Sequence, residues 1–267
     1  MKHDPFHPDS NQPFLAHIME LRDCLLRIVL AVLLIFLCLA PFANEIYSYL
    51  SVPLLKHLPE NSTMIAIDVA SPFFTPFKLS LVCAGFIAVP IILYQFWSFV
   101  APGLYAHEKK MVLPLLIAST ALFYIGVSFA YFVVLPLVFA FLTTAAPAGV
   151  TVMTDIAKYL DFTLTLFFAF GITFEVPIVT IVLVWTGVTS PTQLSEARPY
   201  VIVGAFVIAM FLTPPDALSQ TLLAIPICLL FEAGLLFARF FIPKSHYQAS
   251  DELEGQFDVI EKEENKN

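Results

Sequence analysis

The chain has 267 residues, of which 59% are hydrophobic and only 13% are charged, and its mean hydropathy is +0.84. A soluble domain of this length cannot bury so much apolar side-chain surface, so the composition excludes a soluble protein and predicts a helical membrane protein. The net charge is −8, and no basic patch stands out, which argues against nucleic acid as a partner.

The predicted elements begin with a polar segment, residues 1–23, which we place in the cytoplasm. No small-residue cleavage site follows the first apolar run, so the sequence predicts an uncleaved first helix. A helix that crosses a bilayer needs about 20 mostly apolar residues. Six stretches fit wholly or in part: 24–43, 74–99, 112–141, 159–185, 199–213 and 217–241. They predict an all-α, polytopic membrane domain over residues 24–243, followed by a disordered acidic cytoplasmic tail at 244–267.

The fifth stretch is short. From Tyr200 to Leu212 the helix reaches only about 20 Å, whereas the hydrocarbon core is about 30 Å thick. Such a helix either thins the bilayer or shelters against its neighbours. Pro214 and Pro215 keep it separate from the sixth stretch.

The longest external loop, about residues 44–73, carries Ile46, Leu50 and Leu54 at intervals of four. This spacing predicts a short amphipathic helix at the membrane interface, which Pro53 bends or ends. Four more prolines lie well inside predicted spans, away from their first residues: Pro90, Pro136, Pro177 and Pro226. Because each removes a backbone donor and bends its helix, we expect six transmembrane helices in a bent, concave bundle.

The positions of Lys and Arg orient the chain, because cytoplasmic ends of spans carry an excess of these residues. Seven lie on the side of the two termini: Arg22, Arg27, Lys109, Lys110, Arg198, Arg239 and Lys244. Three lie on the other side: Lys56, Lys78 and Lys158. Both termini are therefore predicted to be cytoplasmic, in agreement with an even number of helices.

Glu175 is the most informative single residue, because it lies 10 residues before Trp185 and so near the middle of the membrane. A carboxylate there is costly unless it is protonated, paired or hydrated. Its helical neighbours Phe168, Ile172 and Val179 are apolar. Glu175 is predicted to be protonated, to face a water-filled cavity or to meet a polar group of a partner helix. The structural alternative is a carboxylic acid bonded to a backbone carbonyl.

Charged residues also flank the first spans. Glu20 and Arg22 form a juxtamembrane charge pair, and Glu108 is, taken alone, a solvated loop acid. Two acids on one side of the membrane nevertheless suit a ligand with two arginines, because a carboxylate binds a guanidinium group through two charge-assisted hydrogen bonds.

Three polar residues at or inside the last predicted helix are candidates for a role. Asp216 suits an N-terminal cap, and Gln220 lies on the same helical face. Glu232 lies deeper and is interpreted as a side chain that reaches toward the interface near Arg239.

The sequence offers nothing that indicates enzymatic or metal chemistry. The six histidines share no metal-ligand spacing, the four cysteines form no CxxC pair, and no Walker, GxSxG, HExxH or GxGxxG pattern is present. We therefore predict no catalytic site, no metal and no cofactor.

Several local strings together resemble one family: HIMELR at 17–22, SPFFTP at 71–76, PIILYQFWSFVAPGL at 90–104 with YAHE at 105–108, FGITFEVP at 170–177, RPY at 198–200, FLTPPD at 211–216 and SQ at 219–220. In this order and spacing they resemble TatC, the multi-spanning component of twin-arginine protein translocation, from about residue 14 to 243.

The resemblance implies a receptor in the bacterial inner membrane for twin-arginine signal peptides of folded precursors. It implies single-span TatA and TatB partners and transport driven by the proton-motive force. The implied signal-peptide site comprises two acids that receive the arginines and three lining residues: Glu20, Glu108, Leu21, Arg22 and Phe99. Four further residues match functional positions of the family: Pro53 in the external loop, Glu175 facing the concave pocket, and Asp216 and Gln220 near the partner-binding region. We also expect self-association, because a folded cargo cannot pass through six helices of this size.

Three other functions remain as alternatives: a small-solute transporter, an intramembrane enzyme and a structural scaffold. A proton- or ion-coupled transporter of small solutes would use Glu175 as a proton carrier, but the sequence shows no internal repeat. An intramembrane enzyme would need paired Asp, Ser/His or HExxH within spans. A purely structural scaffold would tolerate Glu175→Ala.

Overall fold

The structure is a computed structural model that describes residues 12–55, 64–104, 112–144, 153–212 and 217–241. Within these ranges the α-helices are, in order, α1 Gln12–Leu39, α2 Ala43–Leu55, α3 Ser71–Ile87, α4 Val89–Leu104, α5 Val112–Phe129, α6 Leu135–Thr144, α7 Ile156–Thr173, α8 Val176–Trp185, α9 Pro191–Glu196, α10 Arg198–Leu212 and α11 Ala217–Phe241. A 3-10 turn, Ala40–Phe42, links α1 to α2, and a π-helix, Ala130–Val134, links α5 to α6. The predicted all-α class is confirmed.

All six predicted spans fall on helices. Four stretches are long and apolar enough to cross a membrane: Ile18–Leu55, Leu113–Phe141, Ile156–Trp185 and Leu223–Phe240. Helices α3 and α4 supply a fifth if the pair, which is bent by 50°, counts as one span. Helix α10 has only 15 residues and is the short apolar helix that the sequence predicts.

The first helix begins earlier than predicted. Helix α1 starts at Gln12, although the sequence places the first span at 24–43 and a polar segment before it. The difference arises because hydrophobicity locates the part of a helix that lies in the membrane, whereas polar residues continue the same helix beyond it. The amphipathic helix of the external loop is observed as α2, which buries Leu50 and Leu54 and contains Pro53 in its last turn.

Three of the four prolines that lie well inside predicted spans accompany a break in a helix. Pro90 follows the 50° bend between α3 and α4, Pro136 follows the π-helix, and Pro177 follows the break between α7 and α8. Pro226 lies within α11, which runs without interruption. A missing backbone donor explains why the break lies just before each of the first three prolines.

The helices form two compact units. The first unit comprises Met1–Leu50 and Asp68–Thr120, and in it α1 packs against α3 and α4. The second unit comprises Ser51–Ile67 and Ala121–Asn267, and in it α11 packs against α8 and α10. The first unit contains the predicted signal-peptide residues that the structure describes, and the second contains Glu175 and Gln220.

A short segment of the second unit, around Ile65, is hydrogen-bonded to the start of α7. The backbone N–H of Ile65 donates to the carbonyl of Thr154 at 3.0 Å, and that of Ile156 donates to the carbonyl of Ile65 at 2.9 Å. The carboxylate of Asp155 caps α7 and also accepts a hydrogen bond from the backbone of Ile67 at 3.2 Å. One acidic side chain therefore both begins a helix and holds the loop that precedes α3.

Candidate functional site

The predicted signal-peptide residues of α1 lie on its surface. Glu20, Leu21 and Arg22 are all exposed, and Leu21 exposes 51% of its surface. Successive residues of an α-helix point about 100° apart, so the three side chains face different directions around the helix. This turn of α1 therefore exposes an acid, an apolar side chain and a base.

Arg22 forms an ion pair with the residue that follows it. Its Nε and Nη2 atoms lie 2.9 and 2.7 Å from Oδ1 of Asp23, and both side chains are at least half exposed. The sequence pairs Arg22 with Glu20 and assigns no role to Asp23. The charge of Arg22 is thus balanced locally by Asp23.

Phe99 lies half-buried in α4, two residues after the buried Trp97. Because α1 packs against α4 within the first unit, the structure brings together the two helices that carry Glu20 and Phe99. Glu108, the second predicted acid of this site, lies outside the described residues.

Glu175 occupies the break between α7 and α8. Its backbone N–H donates to the carbonyl of Ile172 at 3.0 Å, and its carbonyl accepts from Val179 at 2.9 Å. The residue is half-buried, with its Oε1 atom shielded from solvent. The neighbours that the sequence names are exposed, with Ile172 at 64% and Val179 at 53%, and Phe168 is exposed as well. Glu175 therefore lies between exposed apolar side chains of α7 and α8, with one carboxyl oxygen shielded from solvent.

Two glycines allow α5 to approach the end of α7 that carries Glu175. A Cβ atom on Gly126 would lie 2.7 Å from the carbonyl oxygen of Phe170, and one on Gly171 would lie 2.6 Å from the ring of Phe123. Both distances are too short for a real Cβ contact, so only glycine permits this approach. The sequence shows no GxxxG pair, and isolated glycines in apolar helices are the only signal that could have found this contact.

Gln220 joins the last two helices. Its Nε2 atom donates to the backbone carbonyl of Phe206 in α10 at 3.1 Å. Asp216, which the sequence places on the same face, lies outside the described residues. Pro53, the remaining predicted site residue, is buried in α2.

Glu232 has a partner that the sequence does not predict. Its carboxylate binds Arg198: the Nε and Oε1 atoms are 2.6 Å apart, and Nη2 donates to Oε2 at 3.0 Å. The start of α10 lies beside the later half of α11, a register between helices that the sequence does not reveal. Among the described residues, no three His, Cys, Asp or Glu side chains form a group that could hold a metal ion.

Comparison with known proteins decides the family. Residues 16–226 match the family described as "Sec-independent protein translocase protein (TatC)". The chain belongs to the TatC family. It is 58% identical to the TatC protein of Haemophilus influenzae over 241 residues, which cover 90% of this chain and 94% of that relative. It is 57% identical to TatC of Escherichia coli (strain K12) over 236 residues, which cover 88% and 92% of the two chains.

A solved structure agrees with this assignment. The crystal structure of a protein described as the twin-arginine translocase receptor TatC superposes with a TM-score of 0.74 and 41% sequence identity, over 84% of this chain and 98% of that one. The predicted resemblance to TatC is thereby confirmed, and the chain is a polytopic membrane component of Sec-independent protein transport. The TatC match spans all nine predicted site residues, whereas Glu232 lies beyond it.

Proposed function

We propose that this TatC-family chain is the receptor and core subunit of a twin-arginine protein translocase in the bacterial cytoplasmic membrane. Both of its termini lie in the cytoplasm. It binds the paired arginines of signal peptides on folded precursors at an acidic cytoplasmic site. It also organises TatA- and TatB-type single-span proteins for export driven by the proton-motive force, without catalysis and without a cofactor.

The surface of α1 is the observation that carries the proposal. Glu20 is exposed in α1 before the apolar part of the helix, and a carboxylate binds a guanidinium group strongly. Arg22 lies two residues after Glu20, and Asp23 balances its charge at 2.7 Å, so Arg22 does not repel incoming arginines strongly. The exposed Leu21 offers an apolar contact beside the acid. Glu108 supplies the second carboxylate, as the family resemblance implies.

The stripe around Glu175 supports a role for partner helices. Phe168, Ile172 and Val179 expose apolar surface on both sides of this acid. An apolar helix with one polar group at mid-membrane depth matches such a stripe, because a polar contact in hydrocarbon is satisfied only by another polar group. We propose that the single-span partners present such a helix to this stripe. We assign Gln220, Asp216 and Pro53 to the same assembly role, together with self-association.

Cross-linking from α1 tests the receptor function. A photoreactive residue at Leu21 is expected to cross-link to a twin-arginine signal peptide in membranes that contain the full chain. Glu20→Gln combined with Glu108→Gln should reduce the cross-link at least about tenfold, since two charge-assisted pairs are lost. The matched control is a probe at Leu37, which is equally exposed but lies at the other end of α1.

The peptide itself supplies a second control. Replacing its two arginines with glutamines should abolish the Leu21 cross-link to the same degree as the double acid variant. A cross-link that persists with glutamines, or one that is equally strong from Leu37, overturns the receptor proposal. Uptake of a small solute that depends on Glu175 would then favour the transporter.

A further inference from the structure

Helix α10 is too short to span the hydrocarbon core of a membrane. Its 15 residues reach about 22 Å, against about 30 Å for the hydrocarbon core. One side of it is exposed, including Tyr200, Val203 and Phe211. A short helix can slide along its neighbour or tilt at small cost, so its position depends on what fastens it to α11.

In the part of the chain that the structure describes, polar contacts connect α10 to α11 toward each end of the pair. Toward one end, Gln220 of α11 donates to the carbonyl of Phe206 at 3.1 Å. Toward the other end, Arg198, the first residue of α10, forms the ion pair with Glu232. Between them the helices meet through small or apolar side chains: Ala205, Ala224 and Ile227. Small side chains permit close approach but fix the register of two helices poorly.

The ion pair lies in apolar surroundings. Arg198 and Glu232 are each 42% exposed, and they line a cavity of about 190 Å³. Its other lining residues are apolar or weakly polar: Val201, Ile202, Cys228, Leu229 and Phe231. The apolar lining reduces the access of water and salt to the two charges, although both side chains stay partly exposed. Glu232 accepts one hydrogen bond from Nη2 of Arg198, and its Oε1 atom also lies close to Nε, so the pair connects the start of α10 to one defined position of α11.

We propose that Arg198 and Glu232 are positioning residues that set the register of α10 against α11. The pair thereby determines which side of α10 is exposed and where the amide of Gln220 lies relative to α10. The consequence for partner proteins rests on the proposed export function, whereas the consequence for helix register does not. Neither residue is assigned contact with the signal peptide.

Disulfide cross-linking in the full chain measures the register directly. In a background without the four native cysteines, Ala205→Cys and Ala224→Cys report the native register, and Ala209→Cys with Ala224→Cys reports a shift of one turn. Glu232→Gln should lower the ratio of native to shifted cross-link about fivefold, the equivalent of ~1 kcal/mol. Arg239→Gln is the matched control, because it removes a cation from α11 outside the pair.

Charge reversal separates positioning from a general effect on folding. Arg198→Glu combined with Glu232→Arg is expected to restore both the native cross-link ratio and export of a twin-arginine reporter. If either single variant fails to accumulate, Arg198→Leu with Glu232→Leu leaves no isolated charge and is expected to show the shifted register. An unchanged ratio in Glu232→Gln or in the double leucine variant overturns the proposal, as does a failure of charge reversal to restore the ratio.

The two readouts also separate this proposal from the one on which it rests. A shifted register together with normal export removes the link to partner proteins and leaves the positioning role of the pair intact. A reporter that the parent chain itself does not export contradicts the proposed function alone, because the cross-link ratio is measured without any cargo.

Discussion

The first and last long helices of this chain are both apolar enough to cross a membrane, but they differ in how much of their surface is buried. None of the most apolar 18-residue segment within Ile18–Leu55 is buried, whereas 39% of the corresponding segment in Leu223–Phe240 is buried. Helix α1 exposes a row of large apolar side chains: Leu25, Leu26, Val29, Leu30, Leu33, Leu34 and Leu37. Helix α11 buries Leu223, Ala224, Phe231, Leu235 and Ala238. One helix faces its surroundings, and the other is the core of its unit.

The ion pairs of the two helices show the same contrast. Arg22 pairs with its neighbour Asp23 on exposed α1, and this contact holds no second helix. Arg198 and Glu232 are 34 residues apart and join α10 to α11. A contact within one turn leaves the end of α1 accessible to a ligand. A contact between helices makes the second unit a framework. The chain therefore keeps its proposed recognition surface on the helix with the fewest buried side chains.

The largest effect that sharpens this contrast is expected from truncating a leucine on each helix. Leu235→Ala removes a side chain that is 1% exposed and should lower the free energy of unfolding by about 2–5 kcal/mol, because it leaves a cavity. Leu33→Ala should have little effect, since Leu33 is 48% exposed and lipid or detergent chains fill the space. Unfolding in a denaturing detergent, followed by tryptophan fluorescence, measures both.

The two tryptophans of the chain allow each unit to be followed separately. Trp185 packs beside Val184 and Ala238 in the second unit, and Trp97 is buried in the first. Trp97→Phe leaves a probe for Leu235→Ala, and Trp185→Phe leaves one for Leu33→Ala. Equal losses of stability in the two variants would contradict the division into an open helix and a framework helix.

A smaller effect is expected from adding one methyl group at a helix contact. A Cβ atom on Gly234 would lie 2.7 Å from Cα of Pro177, a backbone atom that cannot rotate away. Gly234→Ala should therefore cost about 1–3 kcal/mol of unfolding free energy. Gly204→Ala is the matched control, because nothing lies within 4 Å of its Cβ position, and alanine favours the helix by up to ~1 kcal/mol. A neutral Gly234→Ala would show that α8 and α11 adjust freely.

The helices of this chain were predictable, whereas the contacts between them were not. Twenty-residue apolar runs and prolines predicted the spans and three of the breaks, because both signals act within one helix. The approach of Gly234 to Pro177 and the pairing of Glu232 with Arg198 depend on the register between helices. The sequence relates Glu232 only to Arg239 of the same helix, because contacts with other helices are not visible in a sequence.

The residues of the predicted site show the same difference between signals within one helix and contacts that the sequence does not reveal. The exposure of Glu20 and Leu21 follows from their place before the apolar part of α1, and the structure agrees. The pairing of Arg22 with Asp23 was missed, because Asp23 carries no motif of its own. The position of Glu175 at a helix break was not predicted either, although Pro177, two residues later, indicates a break at this point. The roles of Glu108 and Asp216 stay predictions.

The smallest and most specific effect is expected from comparing the two ion pairs by double-mutant cycles. Arg22→Gln with Asp23→Asn should give a coupling free energy below ~0.5 kcal/mol, as for other exposed pairs, because water screens both charges. Arg198→Gln with Glu232→Gln should give about 1 kcal/mol, within the range for polar contacts between membrane helices, because the pair lies beside apolar side chains. Each cycle is measured with the tryptophan of its own unit, and raising the salt concentration should weaken only the first. Equal coupling with equal salt dependence would mean that Arg198 and Glu232 are as hydrated as Arg22 and Asp23. In that case the fastening of α10 to α11 must come from Gln220 and from helix packing instead.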